Sequence, residues 1–373
     1  MKPIDRRKLL SFAAAGAAGA AASACAPQAG GETAGGEARA SRATRRLTMV
    51  TTWDPNTQGL SFMAARTADM INRLSNGELE VTVYPAGEIV PALEAFDAVA
   101  SGTADLYHGA EYYWQGKSRG FNFFTAMPMG MTGSEILGWV DYGGGQELWE
   151  ELSARFGVIA FLAGQTGHQM GGWFRNEINS LDDFRGLRMR IPGLGGDVIR
   201  ELGGAAETLP GSEIFQALQS GRIDATEWVG PWNDLEKAFY EVAPYYYGPG
   251  FHEPGSMLAC GVNRDVWDSL PEEHQTIIRA ACAYAHAASV GEFEYFNGLA
   301  LQTLRDDHGV QLRAFPTEVW DRVKEISADL MAASASGDEL NERIYQSYVE
   351  ARQRALVWSS TADGPYLAVR GSA

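Results

Sequence analysis

Cysteine is scarce, with three in 373 residues, and that excludes a disulfide framework. Cys260 and Cys282 have no C-x-x-C partner and no histidine at metal-ligand spacing, so they read as buried core thiols. Basic residues are also short: 30 Lys and Arg stand against 47 Asp and Glu, a formal net charge of -17. A chain this acidic is a poor nucleic-acid binder, because phosphate recognition needs clustered Lys and Arg. It does not exclude a small anion, since one buried arginine can dominate a local field. Catalytic signatures are missing as well: there is no G-x-S-x-G, no P-loop, no H-E-x-x-H and no usable Cys/His pair. The six histidines, His108, His168, His252, His274, His286 and His308, are scattered, and only His108 and His168 fall near strand ends where they can line a crevice. What is plentiful is apolar content, 45%, which excludes intrinsic disorder, and length enough for about two domains.

Residues 1–25 read MKPIDRRKLLSFAAAGAAGAAASAC. Asp5-Arg6-Arg7-Lys8-Leu9-Leu10 resembles a twin-arginine export motif. The Ala/Gly stretch that follows is too short and small-residued for a folded membrane span, so the segment reads as an export signal to a bacterial-type envelope. Ala22-Ser23-Ala24-Cys25 resembles a lipobox with Ala where Leu is usual, and the choice lies between a lipid anchor at Cys25 and ordinary cleavage nearby. Residues 26–45 are Gly, Ala, Ser and Glu without apolar periodicity, a flexible tether.

Beyond the tether the periodicity alternates between strand and helix. Strands are expected at 46–53, 78–84 and 106–108, with helices at 61–74 and 91–100 between them: βαβαβ, the signature of a parallel sheet. A second half starts near Val158, whose VIAFLAG run reads as a covered parallel strand. Further strands are expected at 169–174, 187–191 and 223–229, and helices at 196–202 and 212–219. One unit repeats. Phe96 to Asp105 and Phe215 to Asp224 both read F-x-A-φ-x-S-G-x-x-D, a helix stopped by glycine and followed by a strand, which suggests two related lobes facing one another. From Pro271 to about His308 the pattern is helical without proline. About 38 residues would span about 57 Å, so the helix must cross both lobes or reach a partner chain. A further helical segment is expected from Thr317 to about Arg354.

Three segments concentrate chemistry: GQTGHQMGGWF from Gly164, GLRMR from Gly186 and DATEWVGP from Asp224. Arg190 at a strand end offers a fork that fits a carboxylate; the alternative is a salt bridge to an acid of the other lobe. Glu227 lies among apolar neighbours, where a lone carboxylate is costly unless paired with a cation, whether a Lys or Arg or a metal ion. With the amide oxygen of Gln169 and the carbonyl of Trp228 it would suit a hard ion such as Na+ or Ca2+. Tyr112-Tyr113-Trp114 and Tyr245-Tyr246-Tyr247 read equally as core or as crevice walls.

The set PAGEIVPALEAFDAV, YYW-x-G-K, Q-T-G-x-Q-M-G-G-W-F-R, L-R-M-R, DATEWVGP and APYYYGPG-F, over roughly residues 46 to 355, is similar to the solute-binding receptors of TRAP transporters, and to the branch that binds 2-oxo acids such as pyruvate. The resemblance implies an α/β, two-lobed, periplasmic-binding-protein-like fold with a hinge and a long C-terminal helix. It implies that Arg190 binds the ligand carboxylate, that Gln169 touches both ligand and cation, that Glu227 and Trp228 hold the cation, and that Glu253 is a further cation ligand. Gln165 stands where the relatives carry Asn, which puts the identity of the acid in question. Receptors of this branch can dimerise by swapping a C-terminal helix.

The expected organisation is an export signal at 1–25, a tether at 26–45, lobe I at 46–157 with returning C-terminal segments, a lobe II core at 158–265, a long helix at 266–310 that can serve as a dimerisation element, and a helical end at 311–373. The expected function is a periplasmic receptor, not an enzyme, for a small monocarboxylate bound with Na+ or Ca2+, delivering to TRAP permease subunits and able to form a homodimer. Ligand residues are Arg190, Gln169, Trp228, Gln165, Tyr112, Tyr113, His108 and Trp53; cation residues are Gln169, Glu227, Trp228 and Glu253. The rival is an exported hydrolase or lyase that uses Glu227 with His168 or His252.

Overall fold

In the computed structural model, which describes residues 44–371, alternating strands and helices follow the periodicity closely at first: β1 (Arg45–Thr51), α1 (Leu60–Leu74), β2 (Leu79–Tyr84), α2 (Ala95–Ala100) and β3 (Leu106–Gly109). Helices α3 (Gly133–Tyr142) and α4 (Gly145–Ala154) lead to β4 (Val158–Gln165). Then come β5 (Gly172–Phe174), β6 (Arg188–Arg190), α5 (Gly193–Glu201), β7 (Ala205–Glu207), α6 (Gly211–Ser220), β8 (Ala225–Thr226), α7 (Pro231–Lys237) and β9 (Tyr245–Tyr247). The chain continues through β10 (Met257–Asn263), α8 (Arg264–Asp268), α9 (Glu272–Asp306), β11 (Gln311–Arg313), α10 (Thr317–Ala333), α11 (Glu339–Thr361) and α12 (Asp363–Gly371). The export signal, Cys25 and the tether as far as Ala43 lie outside the described residues.

Two sheets result. The first runs β2-β1-β3-β10-β4, with β1 parallel to β2 and β3 and with β10 antiparallel to both its neighbours. The second runs β11-β9-β5-β8-β6-β7, with β6 parallel to β7 and β8. The boundary expected at Val158 is therefore displaced: β4 and β10 belong to the first sheet, and lobe II takes its sheet from β5–β9 and β11. The reason is physical. The unbroken burial of β4 reports that both its faces are covered, not which sheet it joins.

The chain crosses between sheets at 166–171 and returns at 248–256. These crossings bond to each other: Thr166 N–H to the Ser256 carbonyl at 3.1 Å, Gln169 N–H to that of Glu253 at 3.1 Å, and Gly250 N–H to that of Gln169 at 2.9 Å. Such paired segments are where a two-lobed protein hinges. The long helix α9, 35 residues, packs on β4 and α1 at one side and on α7 at the other, so it spans both lobes. One apolar cluster accordingly runs from Met49 and Leu258 through Ile278 and Phe293 to Trp173 and Tyr246.

The repeated unit is equivalent in both lobes. Gly102 and Gly221 both take positive φ, 77° and 73°. Asp105 accepts the Thr48 N–H at 2.7 Å and Asp224 accepts the Arg188 N–H at 3.1 Å, so each aspartate ties its strand to the parallel neighbour. The single helical segment expected from Thr317 is two helices. Gly337 at φ 83° breaks it, and the Asp338 side chain caps α11 by accepting the Asn341 N–H at 3.0 Å.

The first lobe buries a carboxylate whole. Glu111, 1% exposed, accepts the Tyr107 hydroxyl and the Trp149 indole N–H, and burial pushes its pKa up to about 7. A carboxyl raised on folding stabilises fully below its unfolded pKa, and that contribution is lost as pH rises through about 7. Glu111→Gln, whose amide can donate to Tyr107 while its oxygen accepts from Trp149, should therefore gain on the parent between pH 5 and pH 8. About 3 kcal/mol is expected from the shift, read as the movement in urea midpoint. Equal midpoint changes in both proteins would remove Glu111 from the account.

Candidate functional site

The C-terminal ends of parallel strands β6 and β8 lie side by side, with Arg190 opposite Thr226 and the Glu227 N–H donating to the Arg190 carbonyl at 3.1 Å. Strand ends of this kind open on the ligand crevice. Arg188 and Arg190 share one face of β6. Arg188, at the exposed end, takes Asp224 at 2.8 and 2.6 Å. Arg190, 1% exposed, takes Glu227: Nη1 donates to Oε1 at 2.5 Å and to the Glu227 carbonyl at 3.1 Å. Nε and Nη2 both donate to the Leu209 carbonyl, at 3.2 and 3.1 Å. Two residues expected to act separately, one on a ligand and one on a cation, are thus paired with each other within one lobe.

The crossing segments supply the rest. Gln169, 2% exposed, donates through Nε2 to Thr166 Oγ1 at 3.0 Å, which leaves its Oε1 a buried acceptor with no partner. Glu253 is as deeply buried, and its Oε2 is likewise unpartnered. His252 Nε2 lies 3.3 Å from Glu227 Oε2 and 3.9 Å from Glu253 Oε1. Donor atoms of Glu227, His252 and Glu253 all fall within 4.8 Å of one another. Burial, with help from Glu227, pushes the Glu253 carboxyl up to about 7. Burial would lower the His252 imidazole, but Glu227 and Glu253 hold it above its ordinary value. Buried carboxylate and amide oxygens left without partners are the donor set of a hard cation, and the residues present fit one.

Beside this cluster is a small cavity. Trp53, Leu60, Tyr112 and Tyr113 wall it from the first lobe, Trp228 and Val229 from the second, and Thr166, Gln169, Ser256 and Leu258 from the crossings and β10. Both phenols are raised by burial and stay neutral. The Trp228 ring carries the Arg190 guanidinium 5.3 Å from its centre, and its own Nε1–H is buried without an acceptor.

Two expected ligand residues are set behind the cavity. His108 is fully buried and accepts the Trp53 indole N–H on Nδ1 at 2.9 Å. Burial lowers its pKa to about 4, so the neutral ring holds Trp53 in place. Gln165 turns to α9: its side chain meets His286 at 3.1 Å and its N–H donates to Ser289 at 3.0 Å. Its Oε1 is packed on Gly133, where a Cβ would lie 2.0 Å away. Tyr246 and Tyr247 are core residues, bonded to Asp234 at 2.7 Å and to the Ile178 carbonyl at 3.2 Å. His168 bonds the Gly250 carbonyl at 3.2 Å. Reading the sequence missed Thr166 and Ser256 altogether and placed His252 only in the rival enzyme. The adjacency of His252 to Glu253 was the available signal. A larger hollow, beside α3 and the C-terminal helices, is lined by Trp139, Trp358 and Tyr366 and holds none of these residues.

The model of the bacterial extracellular solute-binding proteins, family 7, matches residues 49–338. A monocarboxylate 2-oxoacid-binding periplasmic protein of Nostoc sp. is 38% identical over 321 residues, 86% of this chain and 88% of its own. A TRAP periplasmic solute-binding protein of Pseudoalteromonas atlantica, solved with bound sodium and pyruvate, superposes with a TM-score of 0.84 at 37% identity, over 87% of this chain and 98% of that one. One from Bordetella bronchiseptica, a mixed-occupancy dimer with calcium and picolinate, gives 0.86 at 32% identity, over 89% and 100%.

Proposed function

Because this chain belongs to the bacterial extracellular solute-binding proteins of family 7, we propose that it is the receptor of a TRAP transporter that captures a small 2-oxo acid of the pyruvate type together with Na+ or Ca2+. What carries the reading is the pair of unpartnered oxygens, Gln169 Oε1 and Glu253 Oε2, beside the Arg190–Glu227 pair. The relatives' ligands fit it: pyruvate and picolinate each set a second donor atom next to a carboxylate, which suits chelation of an ion.

Charge dictates the coupling. With both carboxylates ionised, Arg190 and a protonated His252 only balance Glu227 and Glu253, so a carboxylate entering alone would leave the buried site negative. The cation, held by Gln169, Glu227, Glu253 and the Trp228 carbonyl, would supply the compensating charge and a Lewis-acidic anchor for the 2-oxo group. Glu227 then no longer needs Arg190, and the guanidinium turns its fork to the ligand carboxylate. Tyr112, Tyr113 and Trp53 close over the acid from the first lobe, and Leu60, Val229 and Leu258 accept its carbon end. With Arg190 the one buried arginine among the described residues, a second carboxylate would go unpaired, which selects monocarboxylates.

The rival hydrolase or lyase finds no support: the family is one of receptors, and a Glu227 bonded to Arg190 is not a free base. The twin-arginine-like signal at 1–25 and a lipid anchor at Cys25 belong to the same proposal, since a receptor works where its permease meets the solute. So does a homodimer through the C-terminal helices, supported by the exposure of Leu356, Val357, Trp358, Tyr366 and Leu367.

The test is a thermal-shift screen of pyruvate, longer 2-oxo acids and a dicarboxylate, with Na+, with Ca2+ or with neither. Pyruvate with a cation at a hundredfold excess over Kd should stabilise by about 2.7 kcal/mol. Little shift should appear without the cation or with the dicarboxylate. A shift indifferent to the cation would refute the coupling.

A further inference from the structure

Opposite walls of the cavity carry two tryptophans, Trp53 from the first lobe and Trp228 from the second. The residue after Trp53 opens a tight turn, Asp54-Pro55-Asn56-Thr57. The Thr57 N–H returns to the Asp54 carbonyl at 3.3 Å and Asn56 takes φ 61°. Proline at the second place and asparagine with positive φ at the third make it a type II turn, stiff before any partner arrives. It offers the Asp54 carboxylate to the other lobe. There Lys237, the last residue of α7, places Nζ 2.9 Å from Asp54 Oδ2, with the side chains 16% and 20% exposed. The same ammonium lies 5.4 Å from the centre of the Trp228 ring. Gly211, which opens α6, leaves the room both need: a Cβ there would come within 2.6 Å of the Trp228 ring and 3.2 Å of the Asp54 carboxylate. Gln58 adds three more bonds to α7: its N–H reaches Glu236 at 3.1 Å, its carbonyl accepts from Asn233 at 2.6 Å, and its side-chain oxygen accepts the Trp232 indole N–H.

The Asp54–Lys237 pair and the three Gln58 bonds each join the first lobe to α7, so they exist only while the lobes meet. We propose that Asp54 and Lys237 are positioning residues that latch the lobes over the bound solute and set how long it stays. An isolated exposed ion pair contributes little. This one is largely withdrawn from water, is set on an aromatic face, and ties together the two rings that wall the cavity. Neither residue lines that cavity, so the latch should act on release and leave entry alone.

The proposal rests on the receptor reading in one respect, that pyruvate with Na+ is the probe. Stopped-flow tryptophan fluorescence on the parent, Asp54→Asn, Lys237→Met, Lys237→Arg and the Asp54→Asn/Lys237→Met double variant is the experiment. Release should quicken about tenfold in each neutral single variant, with association unchanged and Lys237→Arg close to the parent. The double variant should release no faster than either single, because both remove one interaction. Unchanged release, or effects that multiply in the double variant, would overturn the latch. A parent that binds no pyruvate counts against the receptor reading instead. The latch is then decided by small-angle scattering of the ligand-free proteins: Lys237→Met should have the larger radius of gyration, and an equal one overturns the proposal.

Discussion

Replacing Arg190 with methionine is expected to lower pyruvate affinity by about three orders of magnitude, read by titration calorimetry in saturating Na+. The side chain is 1% exposed and lies beside a small cavity walled by rings, aliphatic groups and the side chains of Thr166, Gln169 and Ser256, so a ligand carboxylate there would find little water to replace the guanidinium. Breaking a buried, hydrogen-bonded charge pair costs about 3–5 kcal/mol, two to four decades in Kd. Arg190→Lys should lose less, roughly one to two decades, because it keeps the charge and forfeits the fork. Since Arg190 also neutralises Glu227, the methionine variant should melt lower without ligand yet bind the cation no more weakly. That retained cation affinity separates a lost ligand contact from a lost fold. Pyruvate affinity equal to the parent's would discard Arg190 as the carboxylate's partner.

Glu227→Gln should do comparable damage from the cation's side. Cation and acid share the site, so each must raise the other's affinity by the same factor. In the parent, below saturation by Na+, pyruvate affinity should fall about tenfold for each tenfold dilution of the ion. Glu227→Gln keeps an oxygen near the Arg190 Nη1 but loses the charge that draws the ion in. Affinity should drop at least about a hundredfold and its dependence on Na+ should flatten. A variant with the parent's Na+ dependence would move the cation away from Glu227, leaving Gln169 and Glu253 to account for their unpartnered oxygens some other way.

Much of this site was within reach of the linear chain. Arg190, Gln169, Glu227, Trp228 and Tyr112 all come from short runs that resemble one receptor family, and the structure gathers them in or beside the wall of one cavity, with Trp53 opposite. Gln165 shows where such reasoning stops. It lies in the same run as Gln169, yet it ends β4 and faces α9, because the partners that decide its direction, His286 and Ser289, are more than a hundred residues away. His108 faces the Trp53 indole for the same kind of reason, and so acts on the cavity through that ring.

Local order was settled by the amino-acid sequence itself in part: the opening βαβαβ unit, the glycine stops at Gly102 and Gly221, the duplicated helix–strand unit and the length of α9, though not α3, α4, α7, β10 or the break between α10 and α11. Apolar period, glycine and proline act over a few residues, and a few residues contain all that those features require. Tertiary structure alone decided which sheet receives β4 and β10, that Arg190 and Glu227 hold each other, that His252 joins Glu253 beside them, and that Asp54 meets Lys237. Each of those outcomes depends on which surfaces meet once the chain has crossed repeatedly between its lobes, and burial written into a strand says that it will be covered without saying by what.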